Sequence, residues 1–583
     1  MHTTWIDWTI VGFYFLFSLL VGLYFYRRAG QNINEFFVSG RQLPWWIAGT
    51  SMVATTFAAD TPLAVTGLVA QHGIAGNWLW WNMVLSGLLT VFLFARLWRR
   101  AEVLTDVEFT EIRYSGKPAA ILRGFRALYL AIPINCIIIG WVTLAMVKIL
   151  DITLGIEKWT AILLCAGITL IYVTLSGLWG VVITDFFQFI LAIIGTFALA
   201  VFAVKGVGGL ESLKINLTQK FENGAQILSF IPDLGSAWMP ISTFLIYIGV
   251  QWWAAWYPGA EPGGGGYIAQ RMFSTKNEKH ALLSTLWFNI AHYCVRPWPW
   301  ILVALASMIL YPELADKETG YVRVMVDYLP VGFRGLLLAA FAAAFMSTIS
   351  TQLNWGSSYL VNDFYKRFVK KNASERHYVL VSRISTVLLM FLAVLVTLNM
   401  QTVSGAWKFL LALGAGTGTV YILRWYWWRI NAWSEISAMI ASFIVALVLQ
   451  MGFGLNNDNP IDFVKIMLIT VILSSLTWVL VTFFTAPEPE SVLRQFYKKV
   501  RPGGRLWSHI TAQLPETKSP DRIGRDLVDW FLGAVLIYCL LFGAGKLLFG
   551  EVGLGLFLLI IAFFTGWLIF YDLRQRNWSV LSE

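Results

Sequence analysis

The chain has 583 residues, 57% of them hydrophobic and only 13% charged, with a net charge of +10. A soluble domain carries roughly 25% charged residues, so this composition excludes an ordinary soluble protein. The surplus Lys and Arg fall in short segments between apolar runs and not on one basic face, which excludes a nucleic-acid partner and reads as a topology signal.

Apolar runs recur from Trp5 to Tyr571. About 15 of them reach the roughly 20 apolar residues that a membrane-crossing helix needs. In chain order they are 5–26, 44–70, 77–99, 122–149, 158–176, 178–204, 238–258, 281–311, 332–360, 378–399, 405–429, 432–453, 462–485, 526–549 and 552–571. The predicted fold class is an all-α polytopic membrane protein. The first run lacks a basic leader and a cleavage site, so it reads as a retained span.

Arg27, Arg28 and Arg41 follow the first span, Arg99, Arg100, Arg113 and Lys117 the third, and Lys366, Arg367, Lys370 and Lys371 the ninth. Segment 486–525, after the thirteenth span, is the most basic. All follow odd-numbered spans, which predicts a multi-pass protein of the plasma (inner) membrane with its N-terminus outside and its C-terminus cytoplasmic. Cys136, Cys165, Cys294 and Cys539 lie in apolar runs with no spacing that suggests a disulfide framework or a metal site.

Two spans carry helix-breaking residues. The second holds Thr55, Thr56, Asp60, Thr61 and Pro62 in its middle, and the seventh runs into Tyr257, Pro258, Gly259, Ala260, Glu261, Pro262 and four glycines, Gly263 to Gly266. Pro removes a backbone donor and Gly is permissive, so neither favours an unbroken helix. Broken helices five spans apart point to an inverted-repeat transporter. A flexible cytoplasmic loop is the alternative for the glycine run. The ninth span gathers Ser347, Thr348, Ser350 and Thr351 at helical spacing, so hydroxyls share a helix face. Oxygens clustered at membrane depth suit a hard cation such as Na⁺, while helix packing is the plainer alternative.

Several motifs then carry a family resemblance. Asn34 to Arg41 with Leu43-Pro44-Trp45-Trp46, Val53 to Asp60, Phe109 to Tyr114, Ser176 to Gly180 leading to Thr184-Asp185-Phe186-Phe187-Gln188, Tyr267 to Arg271, and Met346-Ser347-Thr348 through Asp363-Phe364-Tyr365 together resemble the sodium:solute symporter family. The resemblance spans roughly residues 5–485. It implies a leucine-transporter-type core of two inverted five-helix repeats. The expected organisation is a leading helix and loop in 1–43, a first repeat in 44–204, an outer loop in 205–237 and a second repeat in 238–430. Two further helices in 431–485, a basic cytoplasmic loop in 486–525 and a final helix pair in 526–583 complete it.

By position, the resemblance implies a primary Na⁺ site of the Ala54, Phe57 and Ala344 carbonyls with the Ser347 and Thr348 hydroxyls, and a second Na⁺ site of Asp185, Ser350 and Thr351. Solute candidates are Thr56, Asp60, Thr61, Trp80, Asn82, Trp252, Trp253, Tyr293 and Arg296. Asp60 and Arg296 are ionisable within apolar spans; either they pair with each other or they meet opposite charges on a solute.

The predicted function is Na⁺-coupled symport of a small polar organic solute (a sugar, amino acid or carboxylate) by alternating access. The expected associates are Na⁺, the solute and the lipid bilayer, with no enzymatic activity, organic cofactor or obligate protein partner. A transporter-like sensor and a proton-coupled or uncoupled carrier of the same fold are the competing readings.

Overall fold

The computed structural model describes residues 4–29, 33–221, 224–255, 262–400, 403, 407, 414–456 and 459–581. Its described elements are helices, and one isolated parallel bridge between Leu43 and Thr275 is the sole strand-like pairing among them. We number the main helices α1 Trp5–Ala29, α2 Trp45–Thr56, α3 Asp60–His72, α4 Ile74–Ala101, α5 Gly116–Leu154, α6 Lys158–Gly206, α7 Ile241–Ala254, α8 Gly266–Phe273 and α9 Glu278–Leu310. There follow α10 Phe333–Val369, α11 Glu375–Asn399, α12 Gly418–Tyr426, α13 Ala432–Gly452, α14 Pro460–Phe484, α15 Glu490–Val500, α16 Ile523–Leu548 and α17 Val552–Gln575.

Among the described residues 11 helices are long and apolar enough to cross a membrane, or 12 with the bent pair α2–α3 counted as one span. The sequence predicted more. Its spans 158–176 and 178–204 both fall within α6, Lys158–Gly206, where the described residues give one helix of membrane-crossing length, Leu178–Gly206, and a shorter apolar stretch, Lys158–Gly167. The seventh span is short at α7, and most of the eleventh, 405–429, lies outside the described residues before α12.

Burial separates an inner bundle from a rim. The most apolar stretches of α10, α5, α4 and α9 are 89%, 83%, 78% and 72% buried, whereas those of α1 and α17 are 22% buried. The rim helices turn Leu, Ile and Phe outwards, as lipid contact requires. The broken pair α2–α3 packs inside, against α6, α9 and α10. The α16–α17 hairpin leans on α4 and α9. From it Tyr538 donates to the Trp81 carbonyl at 3.0 Å and Trp530 to the Leu85 carbonyl at 2.8 Å, while Trp298 of α9 donates to the Leu541 carbonyl at 2.9 Å.

The segment expected as a basic loop, 486–525, contains α15, whose Leu493, Phe496, Tyr497 and Val500 are buried against α4 and the short helix Phe109–Arg113. The C-terminal ends of α4 and α17 and the N-terminal end of α16 share buried ion pairs: Arg96 and Arg576 both meet Asp526, at 2.8 and 2.7 Å, and Arg100 meets Asp521 at 2.6 Å.

Candidate functional site

The break between α2 and α3 follows from its sequence. α2 stops at Thr56, Phe57 takes φ −85° and ψ 62°, and α3 restarts at Asp60 with Pro62 in its first turn, where a missing N–H costs nothing. The two halves meet at 58°. Carbonyls of the last turn of α2 therefore take partners outside the regular i to i+4 ladder. Ala54 accepts from the Phe57 amide at 3.1 Å, Thr56 from the Thr61 hydroxyl at 3.2 Å and Thr55 from the Thr348 hydroxyl at 2.9 Å.

That last bond carries the break to α10. The Thr348 hydroxyl also reaches the Ala344 carbonyl at 3.0 Å. Ala54, Phe57, Ala344, Ser347 and Thr348 are all buried, within 4% exposure. Among them it is Thr348 that links the helices, its hydroxyl meeting the Thr55 carbonyl of α2, and carbonyl and hydroxyl oxygens are the donor types that fit a hard monovalent cation. Among the described residues no cluster of His, Cys, Asp or Glu competes as a metal site.

Ser347 faces a second group. Its hydroxyl donates to Asp185 of α6 at 2.5 Å, and Ser51 of α2 donates to the other carboxylate oxygen at 2.5 Å. Arg271 of α8 completes the cluster, 3.9 Å from Asp185, donating to Thr351 at 3.0 Å and to Ser51 at 3.2 Å. Asp185 and Thr351 thus meet around Arg271, a residue that the sequence pattern did not single out for the site. Ser350 does not reach Asp185: its hydroxyl turns back to the Ser347 carbonyl at 3.0 Å.

The glycine run before α8 is packed and is not an exposed loop. Pro262 to Gly266 are buried, Trp98 donates to the Gly263 carbonyl at 2.7 Å, and the Gly266 amide donates to Asp106 at 3.2 Å. Gly264 sits at φ +75°, and a Cβ there would lie 2.6 Å from Thr90. Residues 256–261, including Pro258 of the same motif, lie outside the described residues.

Beside the break is a cavity with about 130 Å³ of space for the centre of a water molecule. About 10–15 Å³ of such space holds one water, so it accommodates several waters or a small organic solute. Of the solute candidates, Thr56, Asp60, Thr61, Trp80 and Tyr293 line it. Trp80 and Tyr293 stack with ring centres 5.6 Å apart. The structure places four candidates elsewhere. Asn82 donates to the Trp78 and Leu79 carbonyls of its own helix. Trp252 stacks on Trp530, and Trp253 donates to Gly249.

Arg296, the fourth, stands behind the wall. It donates to the Val53 carbonyl at 3.3 Å, to the Thr56 hydroxyl at 3.1 Å and to the His292 ring at 2.5 Å. Among the described residues no ion pair joins it to Asp60, whose Oδ1 is without a hydrogen-bond partner. Residues that the sequence pattern did not flag also line the cavity, notably His292, Asn289 and Gln352. Their one sequence signal is polarity within apolar spans.

A family model described as the sodium:solute symporter family matches residues 36–442. The sodium/glucose cotransporter of Vibrio parahaemolyticus is 24% identical, over 77% of this chain and 85% of that protein. Human sodium/myo-inositol cotransporter 2 is 25% identical, over 84% of this chain and 78% of that protein. Among solved structures, a Na⁺-coupled sialic acid symporter in a substrate-bound outward-open state superposes with a TM-score of 0.67 at 20% identity, covering 83% of this chain and 99% of that one.

Proposed function

The chain belongs to the sodium:solute symporter family, and on that premise we propose that it imports a small polar organic solute with Na⁺ by alternating access. The observation that carries this reading is the bond from Thr348 to the Thr55 carbonyl, which joins the hydroxyl face of α10 to the break of α2 beside the solute cavity. Na⁺ at Ala54, Phe57, Ala344, Ser347 and Thr348 ties the two helices and favours the state open to the outside. By linkage, solute and Na⁺ raise each other's affinity by the same factor. Of the residues expected for a second cation site, Asp185 and Thr351 remain candidates, with Arg271 as the resident positive charge in this arrangement, and Ser350 is turned away from them.

The architecture we propose is the leucine-transporter type, with two five-helix repeats and about 15 spans. The 58° bend between α2 and α3 supports it, as does the stop of α7 ahead of the packed glycines that begin α8. The 49 residues of α6 suffice for two of those spans. The cationic segments after odd-numbered spans support a plasma-membrane orientation with the N-terminus outside and the C-terminus cytoplasmic.

Thermal unfolding of the purified protein in NaCl and in KCl tests the coupling, with galactose, myo-inositol, amino acids and sialic acid as trial solutes. A solute that stabilises in Na⁺ and not in K⁺ is the expected result. Equal responses in the two salts overturn Na⁺ coupling in favour of a proton-coupled carrier or a sensor.

A further inference from the structure

The solute cavity has a chemical bias. Its walls include Trp80, Tyr293, Phe288 and Tyr267, so a bound molecule meets aromatic faces on several sides. Asp60 opens onto the same space, is 2% exposed, and its Oδ1 has no hydrogen-bond partner. From the protein this carboxylate meets the Trp407 indole and, at longer range, the charge of Arg296; burying a charge with its Oδ1 unbonded is costly, and such a carboxylate facing a cavity is poised for a cation. Two more cavity-lining acceptors, the amide oxygens of Asn289 and Gln352, are also without partners.

The arginine best placed to neutralise Asp60 from within the protein is spent elsewhere. Arg296 is held by Val53, Thr56 and His292, and its guanidinium lies over the Phe57 and Trp300 rings at 5.7 and 5.1 Å. Among the described residues that line the cavity there is no Lys or Arg. A carboxylate solute would meet Asp60 as a like charge, and a neutral polyol would leave that charge to the distant Arg296 alone.

We propose that the solute carries a positively charged nitrogen, a protonated or quaternary amine, that sits against Asp60 within the aromatic walls. This rests on the symport reading above and narrows its solute. The aromatic faces attract the cation through their quadrupoles, and the carboxylate supplies charge-assisted pairing.

The test compares ethanolamine, choline and agmatine, each with its uncharged isostere (dimethylbutanol for choline), on the full-length purified protein. Binding is read by tryptophan fluorescence and thermal unfolding in NaCl and in KCl. We expect at least one amine to bind with half-saturation at least about tenfold below that of its isostere, the scale of a desolvated cation–aromatic contact. Asp60→Asn should remove that difference while Na⁺ still stabilises the protein.

The proposal is overturned if no amine binds better than its isostere, whatever else binds. It also falls if the preference survives Asp60→Asn, or if Asp60→Asn abolishes the response to Na⁺, which would assign Asp60 to the coupling ion. The comparison within the wild type decides the matter even if Asp60→Asn does not fold. Indifference of the wild type to Na⁺ against K⁺ sinks the symport reading instead, and amine selectivity is scored separately from it.

Discussion

Thr348 donates its hydroxyl to the Thr55 carbonyl at 2.9 Å, bonding the polar face of α10 to the last turn of α2 ahead of the break. Removing that hydroxyl takes one oxygen from the proposed cation cage. Thr348→Ala and Ser347→Ala should each weaken Na⁺ by about 1–2 kcal/mol, a roughly 5–30-fold higher Na⁺ requirement, with normal membrane insertion. Sodium titration of thermal stability checks this. An unchanged half-saturation in both variants removes these residues from the ion site.

Arg296 reads in the sequence as a solute contact, and the structure gives it another task. Its guanidinium holds the Val53 carbonyl, Thr56 and His292 beside the break. Arg296→Ala strips three groups of a donor and leaves a hole, so a stability loss of about 2–4 kcal/mol is expected, with Arg296→Lys recovering part of it. A melting curve reads the effect. A variant that melts like the wild type and loses solute affinity alone would put the guanidinium in the solute's path.

Gly418 marks where α12 abuts the end of α7. A Cβ on Gly418 would sit 1.8 Å from the Trp253 carbonyl oxygen, inside any van der Waals separation. Gly418→Ala should therefore cost about 2–3 kcal/mol through forced backbone displacement. At Gly553 of α17 an added Cβ meets nothing within 4 Å. There the same change should be neutral or gain up to about 1 kcal/mol of helix propensity. Equal expression and melting of the two variants would contradict the close approach.

Asp526 serves two arginines, Arg96 at 2.8 Å and Arg576 at 2.7 Å. Asp526→Asn withdraws a buried charge from both, and an uncompensated buried pair costs about 3–5 kcal/mol. Asp521, 3.5 Å from Arg96, and Asp529, 2.5 Å from Arg576, offset part of this, so the lower end of that range is expected. Differential scanning calorimetry of the two proteins measures it, and a shift below about 1 °C would show that the network contributes little, at a scale of about 1 °C per kcal/mol for a chain of this length.

The broken helix was legible because Asp60, Thr61 and Pro62 interrupt an apolar run, and the structure breaks there at Phe57 to Ala59. Thr56, Asp60, Thr61, Trp80 and Tyr293 were legible for the same reason: polar or aromatic groups in inner helices face whatever space the bundle leaves. The other site residues depend on helix phase, which the sequence pattern does not record. Tyr247–Gln251 and Ala291–Val295 are π-helical. Each adds a residue to the turn and rotates the helix downstream of it. Trp252, Trp253 and Arg296 come directly after those segments, so a regular 3.6-residue count misassigns their faces. The contact of Arg271 with Asp185 joins helices far apart in sequence, and no local pattern encodes it.

The C-terminal hairpin has a mechanical meaning. Through Tyr538, Trp530 and the Leu541 carbonyl it is pinned to both α4 and α9, the two helices that supply Trp80 and Tyr293. Such a yoke makes those walls a stator. Across the cavity α10 is joined to α2 by small polar groups instead, Thr348 to the Thr55 carbonyl at 2.9 Å and Thr351 to the Thr55 hydroxyl at 3.4 Å, beside the 58° elbow of α2–α3.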